Sequence, residues 1–395
     1  MTRVVVTGVG VVSPYGVGVQ KFWEGLAGGE CAIRPITLFE TDGFRSRIAG
    51  EVPRDVVSSL PASQRRSRAD RFALAAAREP LADAGIQSER AQAGVIVGAV
   101  GGGMLEVEEW YWEVARSRED PRKRSALRSV LPYSHAEVVA RRLRLGGPKE
   151  TVVMACSSGA ASLALAADLI VAGVTPLMLA GGVDSLTRIC FMGFNALKLL
   201  DPEPCRPFDR DRRGMSIGEG AAFIALEDLR HARARGAKIY AEFCSGGMST
   251  DAFHVTAPQP TAEGATRAMI EALARAGIEA SGIDYVNAHG TGTPQNDATE
   301  MLALMKVFGS NGLLVSSNKS LIGHTMAAAG ALEAVATMLT LAHGLVPPTA
   351  HLDHPDPEIP FDCIPHTACP ANVVFAMSNS FGFGGQNVSL IFKRW

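Results

Sequence analysis

Apolar positions in this chain fall into two kinds of segment: short β-branched runs that end at glycine, and longer stretches with apolar residues three and four apart. The first kind predicts buried strands and the second helices. Glu150–Val174 shows both in one piece. Thr151–Ala155 is a short apolar run, Cys156-Ser157-Ser158-Gly159 reads as a turn, and the remainder keeps helical spacing for about four turns. The stretch therefore predicts strand, tight turn, helix, with a cysteine at the turn.

The rest of the chain repeats this alternation. A strand over Arg3–Val9 runs into a turn at Gly10-Val11-Val12-Ser13-Pro14, and a helix follows around Val19–Leu26. After an irregular region to about Ala62 come a helix, Ala69–Ala84, closed by Gly85, and a strand, Ala93–Val100, ending in three glycines. The same order returns later: strand Lys238–Gly246, helix Thr261–Ala276, strand Ile283–Ala288, then Leu313–Ser317 leading into an alanine-rich helix, Thr325–His343. The strands Pro176–Gly182 and Val373–Met377 also correspond. Two copies of one β/α unit, with insertions at Met104–Gly147 and Ser185–Ala237, predict two similar halves, 1–237 and 238–395, packed face to face.

Composition narrows what such a protein does. A chain of 395 residues that is 47% hydrophobic, with 41 glycines, can bury a large core and turn tightly many times. A net charge of -2 gives no footprint for nucleic acid. The N-terminus enters a strand directly, without the order of a signal peptide, and no apolar run of membrane-spanning length is expected. A cytoplasmic protein that binds no membrane is expected. Seven cysteines with no CxxC pair predict neither a disulfide framework nor a zinc site. Six of them read as small buried hydrophobes.

Cys156 is the seventh. At the start of a helix, free backbone N–H groups and the macrodipole favour a thiolate, so Cys156 is a candidate nucleophile. His289 in AHGTGTP and His324 in NKSLIGHTMAAAG stand in glycine-bearing loops after predicted strands, where parallel sheets place their sites. Any of the three alone also fits a structural role; together they point to thiol chemistry. A cysteine protease needs an Asn or Asp orienter, and neither histidine loop carries a protease signature. Two imidazoles can instead both donate to one developing oxyanion, such as the enolate of a thioester losing CO2. That arrangement predicts carbon–carbon bond formation on thioesters.

These residues, with their flanking blocks VVVTGVGVVSPYG, ACSSG, CRPFDRDRRGMSIGEGA, VNAHGTGTPQND, NKSLIGHTMAAAGALEA, VPPT and NSFGFGGQN, resemble the β-ketoacyl-[acyl-carrier-protein] synthases of the elongating type II kind over nearly the whole length. The resemblance implies an α/β thiolase fold, two βα halves layered α-β-α-β-α, in a dimeric acyltransferase. Cys156 would accept an acyl chain from acyl carrier protein, and His289 and His324 would promote decarboxylation of malonyl carrier protein, giving a β-ketoacyl product two carbons longer. Lys319 would tune the electrostatics of the His324 loop and Glu333 would play a structural part. The N–H groups of Cys156 and Phe383 would form the oxyanion hole, and Phe383 the gate. Thr291 and Thr293 resemble the threonines of the pantetheine tunnel; read alone they are turn hydroxyls. Asp297 and Glu300 either brace the His289 loop or merely suit a helix N-terminus. The Met104–Val114 aromatics match a segment near the acyl pocket. No cofactor or metal is implied, since phosphopantetheine arrives on the carrier.

Arg65, Arg66, Arg68 and Arg71, then Arg122, Lys123 and Arg124, and Arg206 match clusters that dock the acidic carrier; by composition they are solvated faces. Ser157 after the cysteine, Gly292, Gln386 and Thr175-Pro176 depart from the commoner pattern. They leave open a ketosynthase of a type II polyketide or polyene pathway, working as a homodimer or as a heterodimer with a chain-length-factor-like partner. A non-catalytic partner subunit would lack Cys156, and a coenzyme A thiolase would carry a second cysteine in the terminal glycine loop, which Asn379–Asn387 does not.

Overall fold

The computed structural model describes residues 2–61, 66–117, 121–310 and 312–395. Its main sheet is built from β1 (Val4–Ser13), β2 (Gly94–Gly98), β3 (Lys149–Val152), β4 (Leu177–Asp184), β5 (Gly220–Asp228), β6 (Ala241–Thr250), β7 (Tyr285–Asn287), β8 (Leu314–Ser316), β9 (Phe375–Gly382) and β10 (Gln386–Arg394). The strands lie in the order β8-β7-β9-β10-β6-β1-β5-β4-β2-β3. Numbered within each half, both halves read 3-2-4-5-1, and in both the second strand is parallel to its neighbours while the last two pairs are antiparallel. The halves meet where Val4–Val6 of β1 pair with Ala241–Phe243 of β6.

Strand β1 is longer than its sequence pattern predicts. It continues through Gly10 to Ser13 because Val11 and Val12 stay paired with Ala222 and Ala221 of β5, and all ten residues are buried. A β-branched pair covered on both faces gains more from the ladder than from an early turn.

The side-chain period of two divides each strand between two cores. Ile96, Met178, Ala180, Ile224 and Leu226 from the first half, with Tyr285, Ala376, Leu390 and Phe392 from the second, pack on the same two helices. Their sequence neighbours Val95, Val97, Leu179 and Phe223 face helices α1 (Arg68–Asp83) and α3 (Tyr133–Leu143), with α2 (Met104–Ala115) between them in sequence. The shared central helices are α4 (Ser158–Val171) and α8 (Ala329–His343). In the second half Val286, Met377 and Ile391 face α6 (Glu263–Ala276) and α7 (Pro294–Phe308), while α5 (Arg188–Ala196) stands in the first-half insertion. The result is the five-layer α-β-α-β-α arrangement.

Two expectations need correction here. The Met326–His343 stretch is long and apolar enough to cross a membrane, where no such run was expected; it is 83% buried between the half-sheets, and that burial accounts for its composition. The helix expected over Thr325–His343 starts with a tight turn at Met326–Ala328 before α8, and the loop ahead of it holds a separate single helical turn at Lys319–Ile322.

Candidate active site

Cys156 stands between β3 and α4, and Ala155 before it adopts φ of 44°, a left-handed conformation that costs a non-glycine residue of order 1 kcal/mol. The turn is held by Met154 N–H donating to Ser158 Oγ at 2.8 Å and Ser158 Oγ donating to the Ala155 carbonyl at 2.7 Å. Gly159 and Gly330 let the two central helices meet backbone to backbone. A Cβ on Gly159 would sit 2.6 Å from the Ala327 carbonyl oxygen, and one on Gly330 would sit 2.7 Å from Ala160. This close crossing brings the Cys156 turn of one half against the His324 turn of the other.

His289 and His324 are 2% and 1% exposed, with ring centroids 5.2 Å apart and planes at 86°. Lys319 Nζ lies 3.2 Å from His289 Nδ1. An ammonium can only donate, so Nδ1 accepts and the imidazole proton sits on Nε2. The Met326 N–H donates to His324 Nδ1 at 3.3 Å, which places that proton on Nε2 as well. His324 Nε2 is buried with no partner among the described residues. Both rings are thus fixed in the same tautomer, and at least one Nε2–H awaits an acceptor. Burial first, and then Lys319, hold both imidazoles well below their ordinary 6.5, so they are neutral at pH 7.

Lys319 is itself buried and ion-paired to Glu333, whose carboxyl is raised by burial and drawn back by the lysine. Glu300 accepts the N–H groups of His289 and Gly290, both at 2.8 Å. Asp297 accepts those of Phe208 and Gly292 at 3.0 and 3.1 Å. Both carboxylates therefore act on the histidine loop through its backbone. Burial pushes Glu300 up to about 7 against those bonds.

The thiol behaves differently from the expectation of a helix-stabilised thiolate. Burial pushes Cys156 up to about 11, and Lys319 with the N–H groups of Phe383 and Cys156 only partly oppose it. Helix α4 begins at Ser158, two residues on, and desolvation outweighs its dipole. Cys156 rests as a neutral thiol.

Two cavities reach that thiol. One, of about 130 Å³, is lined by Cys156, His289, His324, Thr291, Thr293 and Phe383 among others. The Thr291 and Thr293 hydroxyls lie 2.9 Å apart on its wall. The other, of about 300 Å³, is bounded only by apolar atoms, from residues including Val100, Ala155, Phe194, Met326 and Phe383. Phe383 borders both and packs on Phe194 at 5.8 Å between centroids.

The basic residues divide. Arg68 is not on a docking face: it is 8% exposed and forks onto Glu219, which also accepts the N–H groups of Val52 and Leu186. Arg71 turns inward to the carbonyls of Val57 and Leu60, the latter at 3.1 Å. Arg206 pairs with Glu203 at 2.8 Å. Arg124 is exposed, whereas Arg65 and the side chains of Arg122 and Lys123 lie outside the described residues. Arg66 is lowered by burial and by nearby Arg142, Arg141 and Arg78, a basic group missed in the sequence because it joins two helices far apart in the chain. Sequence reasoning also missed Asp184, whose buried carboxylate accepts Gly101, Gly102 and Ala327 N–H groups at 2.7, 2.8 and 2.9 Å. Among the described residues, Asp209, Asp211 and His354 could share a cation, but Asp209 already accepts the Asp211 and His354 N–H groups at 2.8 and 2.7 Å.

Comparison with known proteins gives consistent results. Residues 1–232 match the family described as beta-ketoacyl synthase, N-terminal domain, and residues 240–353 its C-terminal domain. The chain is 42% identical to the 3-oxoacyl-[acyl-carrier-protein] synthase 2 of Rhizobium meliloti, covering 100% of this chain and 99% of that one. It is 38% identical to the enzyme of the same name from Vibrio cholerae, at 99% of each. Among solved structures, the ishigamide ketosynthase/chain length factor is similar at a TM-score of 0.94 and 38% identity, covering 100% and 99%. A type II polyketide ketosynthase solved with its acyl carrier protein is similar at 0.91 and 29%, covering 100% of both.

Proposed function

Because the chain belongs to the β-ketoacyl synthase family, we propose that its Cys156, His289, His324 and Lys319 carry out a decarboxylative Claisen condensation between an acyl-enzyme and malonyl carrier protein. The observation that carries the assignment of roles is the shared Nε2–H tautomer of the two histidines. In the first step the Cys156 sulfur attacks the incoming thioester, and its proton leaves on the departing carrier thiol. Malonyl carrier protein then loses CO2, and the Nε2–H groups hold the enolate oxygen. The enolate carbon attacks the acyl-cysteine, with the N–H groups of Cys156 and Phe383 receiving the oxyanion. Collapse expels the sulfur, which takes up one proton. The reaction needs no resident cofactor, because the phosphopantetheine comes with the substrate past Thr291 and Thr293.

The apolar cavity bears on the acyl chain. Each ketone of a poly-β-ketone buried there without a donor would cost about 1–3 kcal/mol, whereas a saturated or polyene chain loses nothing. This favours hydrocarbon chains over polyketones. The lining includes exposed Gly193 and Leu197, beside exposed Ile189 and Met192 on α5. A second subunit covers this face in our reading, either a copy of this chain or a chain-length-factor-like relative, and the enzyme works in the cytoplasm. Cys156→Ala tests the whole: elongation and acyl transfer, followed by product mass with saturated, polyenoyl and β-ketoacyl carrier proteins, should both vanish. Elongation at the native rate by the Ala variant would sink the assignment.

A further inference from the structure

Ser157 takes no part in the chemistry above, yet its hydroxyl is fully buried and lies 2.9 Å from the Ser380 carbonyl and 2.7 Å from the Gln386 carbonyl. One hydroxyl has one proton, so the two carbonyls share it. They sit on different strands: Ser380 belongs to β9 and Gln386 opens β10, and the turn between these strands carries Phe383. Gly382, paired with Gln386, lies against the nucleophile; a Cβ there would be 3.2 Å from both Cys156 N and Ser157 Oγ. Beyond the root, Gly385 is buried against Asp251, whose N–H donates to the Gly385 carbonyl at 2.8 Å, and Phe383 packs on Phe194, but Gly384 is exposed. A Cβ on Gly384 would meet nothing within 4 Å, and its N–H is bonded to the carbonyl of Val255, which is 75% exposed. The turn is thus pinned at its root and at Gly385, and open at Gly384.

We infer that Ser157 is a positioning residue: its hydroxyl ties both strands of the Phe383 turn to the Cys156 turn at the start of α4 and keeps the Phe383 N–H aimed at the thiol. The inference rests on the reading of that N–H as an oxyanion donor. An oxyanion donor serves acyl transfer, whereas decarboxylation depends on the histidines, so the two half-reactions separate a positioning role from a general structural one.

The test measures single-turnover acylation of Cys156 by intact mass, CO2 release from malonyl carrier protein, and thermal unfolding, in Ser157→Ala and Ser157→Thr. The Ala variant should acylate roughly tenfold more slowly with CO2 release within about twofold of native, and Thr should restore most of the loss. Unchanged acylation in the Ala variant, or an equal fall in both half-reactions, overturns the role of Ser157. If Ser157→Ala does not fold, Ser157→Cys decides by the same ratio. Absence of acylation in the unmodified protein would instead overturn the underlying reading, and the role of Ser157 with it.

Discussion

Lys319 joins two functions in one side chain: it fixes the His289 tautomer and it neutralises Glu333. Lys319→Met should therefore lose CO2 release by tenfold or more and destabilise the fold by about 3 kcal/mol, since Glu333 is left buried and unpaired. Adding Glu333→Leu should recover the unfolding temperature but not the CO2 release, and recovery of both would remove the lysine from the chemistry. The histidines make a pH prediction. Because both are held below 6.5, the neutral, Nε2-donating form persists as pH falls through the ordinary imidazole range. The acid limb of CO2 release should lie below pH 6.5; a limb centred at 6.5 in both single-histidine backgrounds would contradict the burial argument. For the thiol the sign is opposite. With Cys156 raised to about 11 from an ordinary 9.0, iodoacetamide alkylation of the substrate-free enzyme should still be climbing above pH 9, as followed by mass.

At the scale of elements, the site depends on how closely α4 and α8 cross. Gly159→Ala places a methyl 2.6 Å from the Ala327 carbonyl oxygen, where backbone must shift. A loss of about 1–3 kcal/mol is expected in denaturant unfolding, together with slower acylation, because the shift separates the Cys156 turn from the His324 turn. Gly193→Ala is the contrast: α5 is a regular helix and the new methyl meets nothing within 4 Å, so stability should hold or rise by about 0.5–1 kcal/mol. The helix and strand periods were legible in the sequence, and so was the echo of the Cys156 turn in the Lys319–His324 turn. The crossing was not, since a glycine in a helix looks the same whether it meets a neighbour or solvent.

At the scale of the whole molecule, the two half-sheets share one strand order and one pair of central helices, so both sets of strand ends converge on a single pocket. Carrier docking is where the sequence misled. A run of arginines reads as one basic face, but Arg68 reaches across to Glu219, 151 positions later, while Arg66 instead joins Arg78, Arg141 and Arg142. Arg66→Ala combined with Arg142→Ala should raise KM for the carrier severalfold with little change in kcat, and added salt should shrink the difference. Arg68→Ala should instead lower the unfolding temperature. A KM effect from Arg68→Ala alone, at native stability, would restore it to the docking face.

The sequence by itself determined the order of elements, the duplicated unit and the candidate reacting groups, because periodicity and residue chemistry are local properties that survive without contacts. Tertiary structure decided the rest: that Cys156 is a neutral thiol, that both histidines donate from Nε2, that Arg68 is internal, and that the Ser157 hydroxyl reaches both strands of the Phe383 turn. Apart from the His324 tautomer, which the Met326 N–H sets from two positions away, each of these turns on desolvation or on a partner tens to hundreds of positions away. Burial and long-range hydrogen bonding exist only once the halves have packed.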